Sequence, residues 1–229
     1  MADYTLTWDN TGEKIYETGD RNMALYVMDT QGVYQDGVAW NGITGVSLSH
    51  SGADENALWA DDIKYASLRS AEEVGATIEA YQSPVEFDIC DGSAPIDNTL
   101  PGVSVGQQGR RGFGIIFIST VGNDVMGTDY GEKIHILYNC SASPSERGYQ
   151  TINDSPDAIT LSWEITTTPI QMPGTLKKAA EITIDTTKLT TEQKANLPAF
   201  KEFIFGDGTN SAKMPTPAQV ISLLTTGQA

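Results

Sequence analysis

Histidine, cysteine and positive charge are all scarce in this chain, and each shortage closes off a class of function. His50 and His135 share no spacing with Cys90 and Cys140 that would hold zinc. Two cysteines are also too few for a disulfide framework, and both read as small buried apolar side chains. Against 30 acidic residues stand only 14 basic ones, a formal net charge of −16, which argues against a protein that grips nucleic acid by neutralising phosphates. No run is apolar and long enough to cross a bilayer. The opening MADYTLTWDNTGEK has neither the basic region nor the apolar stretch of a secretory signal, so synthesis in the cytoplasm without a membrane anchor is expected.

The motifs of catalysis are equally thin. No glycine loop followed by lysine is available for nucleotide phosphates. DICDG (88–92) and GDGTN (206–210) lack the alternating ligands of a calcium loop and read as turns, as does the Asp61-Asp62 pair. GVSVG (102–106) fits a nucleophile elbow around Ser104, but QQGRRG follows where a helix is needed, and both histidines fall on strands or strand edges. No enzymatic activity, cofactor or metal is expected.

What the chain does have is two-faced strands. In YQTINDSPDAITLSWEITTTP (149–169), Ile159, Leu161, Trp163 and Ile165 share one face, while Thr160, Ser162, Glu164 and Thr166 share the other. SAEEVGATIEAYQ has Ser70 and Glu73 at capping-box spacing, yet Val74, Ala76, Ile78 and Ala80 alternate with Gly75, Thr77, Glu79 and Tyr81, predicting a strand over 74–82. VAWNGITGVSLS (38–49) reads as a strand with a bend or bulge at Gly42 and Gly45. FGIIFISTV (113–121) and EKIHILYNC (132–140) read as neighbouring strands, the first apolar on both sides and so covered on both faces, or lying against another subunit.

Between these strands, SGADENALWADD (51–62) reads as an exposed acidic loop in which Leu58 and Trp59 suggest a lip reaching an adjacent subunit, leading to a strand at 63–68. PVEFDICDG predicts a short helix after Pro84, stopped by Gly92. Residues 91–112 form a long irregular link holding the tight basic pair Arg110-Arg111. The organisation expected is a polar arm over 1–23 with a first strand at 25–28, a β core over 24–170, and an appendix over 171–229. That appendix should contain a strand near 180–186, a helix interrupted around Pro198 and a small helix with Pro217 in its first turn. Trp40 and Trp163 are expected in the core, Trp8 and Trp59 as subunit anchors.

Taken together with GVAWNGITGVSLSHSGADENALWADDIKY, SAEEVGATIEAY, CDGSA and SASPSE, the segment 149–169 resembles the major tail tube proteins of long non-contractile-tailed bacteriophages, over about 38–169 and again in the ending ITIDTTKL through FGDGTNSAKMPTPAQVISLL. That resemblance implies a mainly β, sandwich- or barrel-like tail-tube fold with a flanking short helix and a small α appendix. It also implies six copies forming a ring whose sheets join in a continuous β-barrel lumen, and rings stacking into a tube. The implied location is the virion tail, after synthesis in the host bacterial cytoplasm. The implied partners are further copies of the chain, tape-measure, tail-terminator and distal tail proteins, and double-stranded DNA passing through without specific binding. On this reading Thr77, Glu79, Thr160, Ser162, Glu164 and Thr166 suit a lumen, and Trp8, Leu58, Trp59, Asp61, Asp62, Arg110 and Arg111 suit contacts between subunits or rings. The related bacterial secretion or contractile injection tubes would share this logic, and a carbohydrate-binding β-sandwich is the alternative from another class. No long immunoglobulin-like appendage follows residue 169 in this sequence.

Overall fold

In the computed structural model the described residues are 6–52, 54–70, 72–97, 99–100, 102–145, 147–149, 151 and 158–228. They form twelve strands: β1 (Ile15–Val27), β2 (Val38–Ala39), β3 (Ile43–Gly52), β4 (Glu55–Ala60), β5 (Ile63–Arg69), β6 (Glu72–Ala80), β7 (Ala94–Pro95), β8 (Ser104–Val105), β9 (Phe113–Asn123), β10 (Gly127–Ala142), β11 (Leu161–Thr167) and β12 (Glu181–Asp185). The helices are α1 (Asp88–Asp91), entered through a 3-10 turn at Val85–Phe87, α2 (Thr191–Phe205) and α3 (Pro217–Thr226). The protein is therefore mainly β, with one large antiparallel sheet ordered β2-β1-β9-β10-β11-β6-β3, in which β12 also pairs with β10. Among the described residues this sheet does not close into a barrel. The turn at 152–157 that leads into β11 lies outside them.

Strand β10 organises the sheet. It pairs with β12 from Lys133 to Leu137 and with β11 from Cys140 to Ala142. Between the two lies a register shift against β9, where Asn139 takes a φ of 47° and its N–H donates to the Tyr34 hydroxyl at 2.9 Å. One extra residue in a strand turns it and strengthens its twist. That turn separates the β1-β9-β10-β12 half from the β11-β6-β3 half, whose apolar faces then meet.

The sandwiched core contains Leu25, Phe113, Ile115, Phe117 and Leu137 from the first half and Ala76, Ile78, Trp163 and Ile165 from the second, with Phe87 and Cys90 of the 3-10 turn and α1 filling its end. Trp40 and Trp163 meet edge to face at 5.3 Å, and Phe87 lies 5.4 Å from both Phe113 and Trp163. The reverse face of the first half carries Ile116, Ile118, Ile134, Ile136, Tyr138 and Ile184, and it packs under Phe200 and Ile204 of α2 and Val220, Leu223 and Leu224 of α3. β9 is thus covered on both faces within one chain. Each fully buried isoleucine or phenylalanine on it contributes about 1.5–3 kcal/mol.

The C-terminal helices are locally well specified. Thr190 with Gln193, and Thr216 with Gln219, form capping boxes, and Pro217 occupies the first turn of α3. The Tyr26 hydroxyl donates to the Ile204 carbonyl, and Glu132 receives both Arg21 and Lys201, so α2 is tied to the sheet by polar contacts as well as apolar ones. Two expectations are corrected here. α2 runs without interruption through Pro198, which faces outward where the lost N–H bond is cheapest. The segment expected as a loose arm becomes strand from Ile15 onward: β1 begins there and pairs along β9 down to Asn123. Its alternation is hidden by two register shifts, at Thr18/Asp20 and Arg21/Ala24, where Gly19 and Asn22 take φ values of 66° and 54°.

Candidate functional site

The faces predicted for β6 and β11 are the faces found. β6 pairs with β11 on one side and β3 on the other, and on the outer surface the three strands line their residues up in rows. Ser47, Thr77 and Glu164 make one row, Gly45, Glu79 and Ser162 a second, and Ser49, Gly75 and Thr166 a third. Each carboxylate is opposed by a hydroxyl or a glycine. Glu79 and Glu164 meet only on the diagonal, at about 7–8 Å for such positions, so direct like-charge opposition is avoided. Glu79, Glu164 and Thr166 are exposed, Thr77 and Ser162 are half-buried, and Thr160 is exposed one residue before β11 begins. No lysine or arginine occurs in the three rows. Gly75 has a packing reason: a Cβ there would stand 2.8 Å from Ser49 Oγ.

β3 ends the sheet order, so its outer edge has no strand partner among the described residues over ten residues. An unprotected edge of that length is a template for another strand.

Within the segment expected as a loop, residues 55–60 form a strand, and this corrects the sequence reading. β4 and β5 pair from Glu55↔Arg69 to Ala60↔Ile63, continuing the β3-β6 ribbon as a hairpin. Its turn is Asp61-Asp62, with φ values of 50° and 60°. Two successive positive φ angles give the turn whose twist matches a β-ribbon, and aspartate tolerates that region. Trp59 is 69% exposed, Tyr65 73% and Ile63 63%, with Leu58 and Leu68 also open to solvent, and the Trp59↔Lys64 pairing puts Trp59 on the face opposite Leu58 and Ile63, so apolar side chains stand on both faces of the ribbon behind an acidic tip. Trp8 lies in the segment before β1 and is exposed.

Arg110 and Arg111 sit where the 91–112 link returns to β9. Arg110 donates to the Ala142 carbonyl at 2.8 Å and lies 3.8 Å from Asp91, which also receives Arg147. The Arg111 N–H donates to the Ile89 carbonyl, and its guanidinium forms no ion pair among the described residues. Arg147 was missed by sequence reasoning, since nothing local links it to Asp91.

A second feature escaped notice altogether: a polar cluster at one end of the sandwich. His135 lies flat on Phe117, ring centroids 4.6 Å apart. Its Nε2 is 3.0 Å from Ser119 Oγ, which donates to Glu17, and its Nδ1 is 3.4 Å from Thr183 Oγ1, which donates to Glu181. His50 on β3 reaches Glu181 from the other half at 3.2 Å, and Lys133 reaches Glu17. Glu181 is held below the usual carboxylate range, chiefly by the His135 contact. Glu17 is likewise lowered: burial raises it, but the hydrogen bonds from Lys133 and Ser119 outweigh that. The two hydroxyls relay the imidazole to two carboxylates. The only local signal was a histidine at an inward position of an apolar strand.

Ser104 lies in β8, exposed, and residues 106–112 contain no helix. Among the described residues no group of three or more His, Cys, Asp or Glu is placed to hold a metal ion, and no helix is long and apolar enough to cross a membrane.

No family model matches the sequence, and no curated protein matches it. Among solved structures, a chain of the anti-feeding prophage baseplate, determined by cryo-electron microscopy with six-fold symmetry, is similar at 8% identity with a TM-score of 0.38, covering 80% of this chain and 100% of its own. A chain of the sheath-tube complex of an extracellular contractile injection system in its extended state is similar at 13% identity with a TM-score of 0.31, covering 72% and 88%.

Proposed function

We propose that this chain is a non-enzymatic, self-assembling structural subunit of a phage tail tube, with the β3-β6-β11 outer face turned toward a DNA-conducting lumen. The observation that carries this reading is the combination of a hydroxyl- and carboxylate-lined sheet face with a ten-residue free edge, in a chain whose sequence resembles the tail tube family. The strands β3, β6, β11 and the end of β10 give four per copy. Six copies then make a barrel of about two dozen strands, wide enough for an open aqueous bore. Closure also removes the free edges that each copy exposes alone.

Glu79 and Glu164 give such a bore negative potential, and hydroxyls between them offer no cation to hold a phosphate. Duplex DNA would slide along this wall rather than bind. Further copies, a tape-measure protein that sets length and terminator and distal proteins that close the ends are the partners this role requires.

Electron microscopy of the purified protein, alone and with its assembly companions, tests the reading. Rings or hollow rods are the expected result, and a chain that stays monomeric in both conditions refutes it. For the lumen assignment, E79K combined with E164K should impair DNA delivery by particles that still assemble. Unchanged assembly together with unchanged delivery would remove that face from the lumen.

A further inference from the structure

Two small ribbons stand at opposite ends of the sandwich. The β4-β5 hairpin prolongs β3 and β6 beyond Gly52 and Glu72. The far end of the same strand pair is Ile43 and Ala80, where Trp40 packs on Phe87 at 4.5 Å and α1 leads into the β7-β8 ribbon. The base of that ribbon is held to α1 by the Gln108 N–H on the Gly92 carbonyl and the Arg111 N–H on the Ile89 carbonyl.

Each ribbon is apolar on one face. Opposed residues share a face, and the next pair along turns to the other. In the hairpin, Asn56↔Leu68, Leu58↔Ala66 and Ala60↔Ile63 therefore lie together, while the charged side chains of the two strands, Glu55, Lys64 and Arg69, lie on the other face with Trp59. In the second ribbon Ala94 opposes Val105, Pro95 opposes Ser104, and the Ile96 N–H donates to the Val103 carbonyl, so Ala94, Ile96, Val103 and Val105 share a face. Ile63, Leu68, Ile96 and Val103 are all exposed, so neither face is covered by the described residues of its own chain.

Charge decides against hairpin meeting hairpin. Residues 52–73 hold six acidic side chains and two basic ones, so two copies of that segment repel when laid together. Residues 92–109 hold a single charged side chain, Asp97. The β7-β8 face therefore offers the hairpin an apolar cover of the same ribbon width without that repulsion. Because the ribbons sit at opposite ends, one chain cannot bring them together, whereas two copies in line can, and such a head-to-tail contact repeats without closing.

We propose that the apolar face of the β4-β5 hairpin of one copy packs on the apolar face of the β7-β8 ribbon of the next, the two ribbons lying face to face about 10 Å apart as stacked sheets do. The proposal rests on the self-assembly reading above and names the contact through which copies would stack.

The test is a double-mutant cycle on the critical concentration for rod formation. I63T/L68T and I96T/V103T keep β-branched side chains in exposed strand positions, so the unassembled variants should keep the parent's urea midpoint. Each pair should raise the critical concentration roughly tenfold, the scale of one well-covered aliphatic side chain lost. Combining all four should add little, because each pair removes the other's partner. W59T, on the opposite face of the hairpin, should change it less than I63T/L68T does. Independent, multiplying effects would overturn the pairing, as would a larger effect of W59T or variants that assemble like the parent. A second measurement does not depend on energetics: in rods formed from L68C and V103C chains mixed together, a short bismaleimide should join neighbouring copies. Cys90 and Cys140 are buried and will not compete. Rods that cross-link from L68C chains alone, or mixed rods that do not cross-link, defeat the docking assignment and leave assembly standing. A parent chain that never forms rods defeats the assembly reading and the docking with it.

Discussion

The two core tryptophans offer a sharp test of how the polar face is held in place, because they are alike in burial and opposite in hydrogen bonding. Trp40 is 2% exposed and its Nε1 donates to the Gln82 carbonyl at 2.8 Å. Trp163 is fully buried at the centre of β11, and its Nε1 has no partner among the described residues. Replacing either by phenylalanine loses a similar part of an indole and leaves a similar void, so the cavity terms largely cancel in the difference. The hydrogen-bond terms do not cancel. Trp40→Phe removes a bond of about 1 kcal/mol and strands a part-buried carbonyl. Trp163→Phe removes a buried donor whose lost hydration costs about 1–3 kcal/mol and leaves nothing behind that needs a partner. Trp40→Phe should therefore destabilise the chain by about 2–4 kcal/mol more than Trp163→Phe, even though Trp163 is the more buried. Urea unfolding followed by far-ultraviolet circular dichroism reads this directly, at concentrations where sedimentation shows the chain unassembled. Equal costs, or a larger cost for Trp163→Phe, would refute the reasoning. Trp163→Ala, which empties the site, should cost about 3–5 kcal/mol and free the seating of Ser162 and Glu164 on the opposite face.

Three further outcomes are expected. Glu17 and Glu181 have folded pKa values depressed below the ordinary carboxylate range, so their stabilisation is present above that range and is lost as pH falls through the depressed values. The urea midpoint should drop from neutral pH toward about pH 3, and E181Q should flatten the drop. Gly206 ends α2 at φ 81° and ψ 162°, and a Cβ there would come within 2.9 Å of the Asn210 carbonyl, so Gly206→Ala should cost about 2–4 kcal/mol, visible as a lowered thermal midpoint. Burial pushes the Cys90 thiol up to about 12 and raises Cys140 further. Neither should react with a thiol reagent at neutral pH until the chain unfolds, and rapid labelling in native buffer would contradict the packing.

How much of this was legible beforehand depended on whether one face of a strand was buried by its own chain. β6 and β11 could be read residue by residue because Ile78, Trp163 and Ile165 are buried and Thr77, Glu79 and Glu164 are not, which is the period of two made visible. The first half of β1 could not, because positive φ at Gly19 and Asn22 restarts the alternation twice within a few residues. The strand at 63–68 and the Asp61-Asp62 turn were legible, but the first strand of the hairpin, β4, was hidden for a different reason. Both of its faces are exposed, so no burial pattern marks it, and Asp61-Asp62 is a weaker turn signal than Asn-Gly. The cluster around His135 draws on β1, β3, β9, β10 and β12, and only the sheet order brings those strands together.

The free edge of β3 ties these observations to the assembly reading. Soluble β proteins protect an edge with lysine, proline, a bulge or a covering segment. The β3 sequence ITGVSLSHSG contains no lysine and no proline, and its one register shift lies at its beginning, between Ile43 and Gly45. At the opposite end of the sheet, β2 covers β1 only at Ala24 and Leu25. Net charge is the remaining protection, and it is incomplete: at physiological ionic strength repulsion fades over about 8 Å, while a pairing strand approaches to within about 5 Å. Charge therefore slows encounters without forbidding the final bond. On the assembly reading, an edge this long without lysine or proline is where a strand of a neighbouring copy would pair.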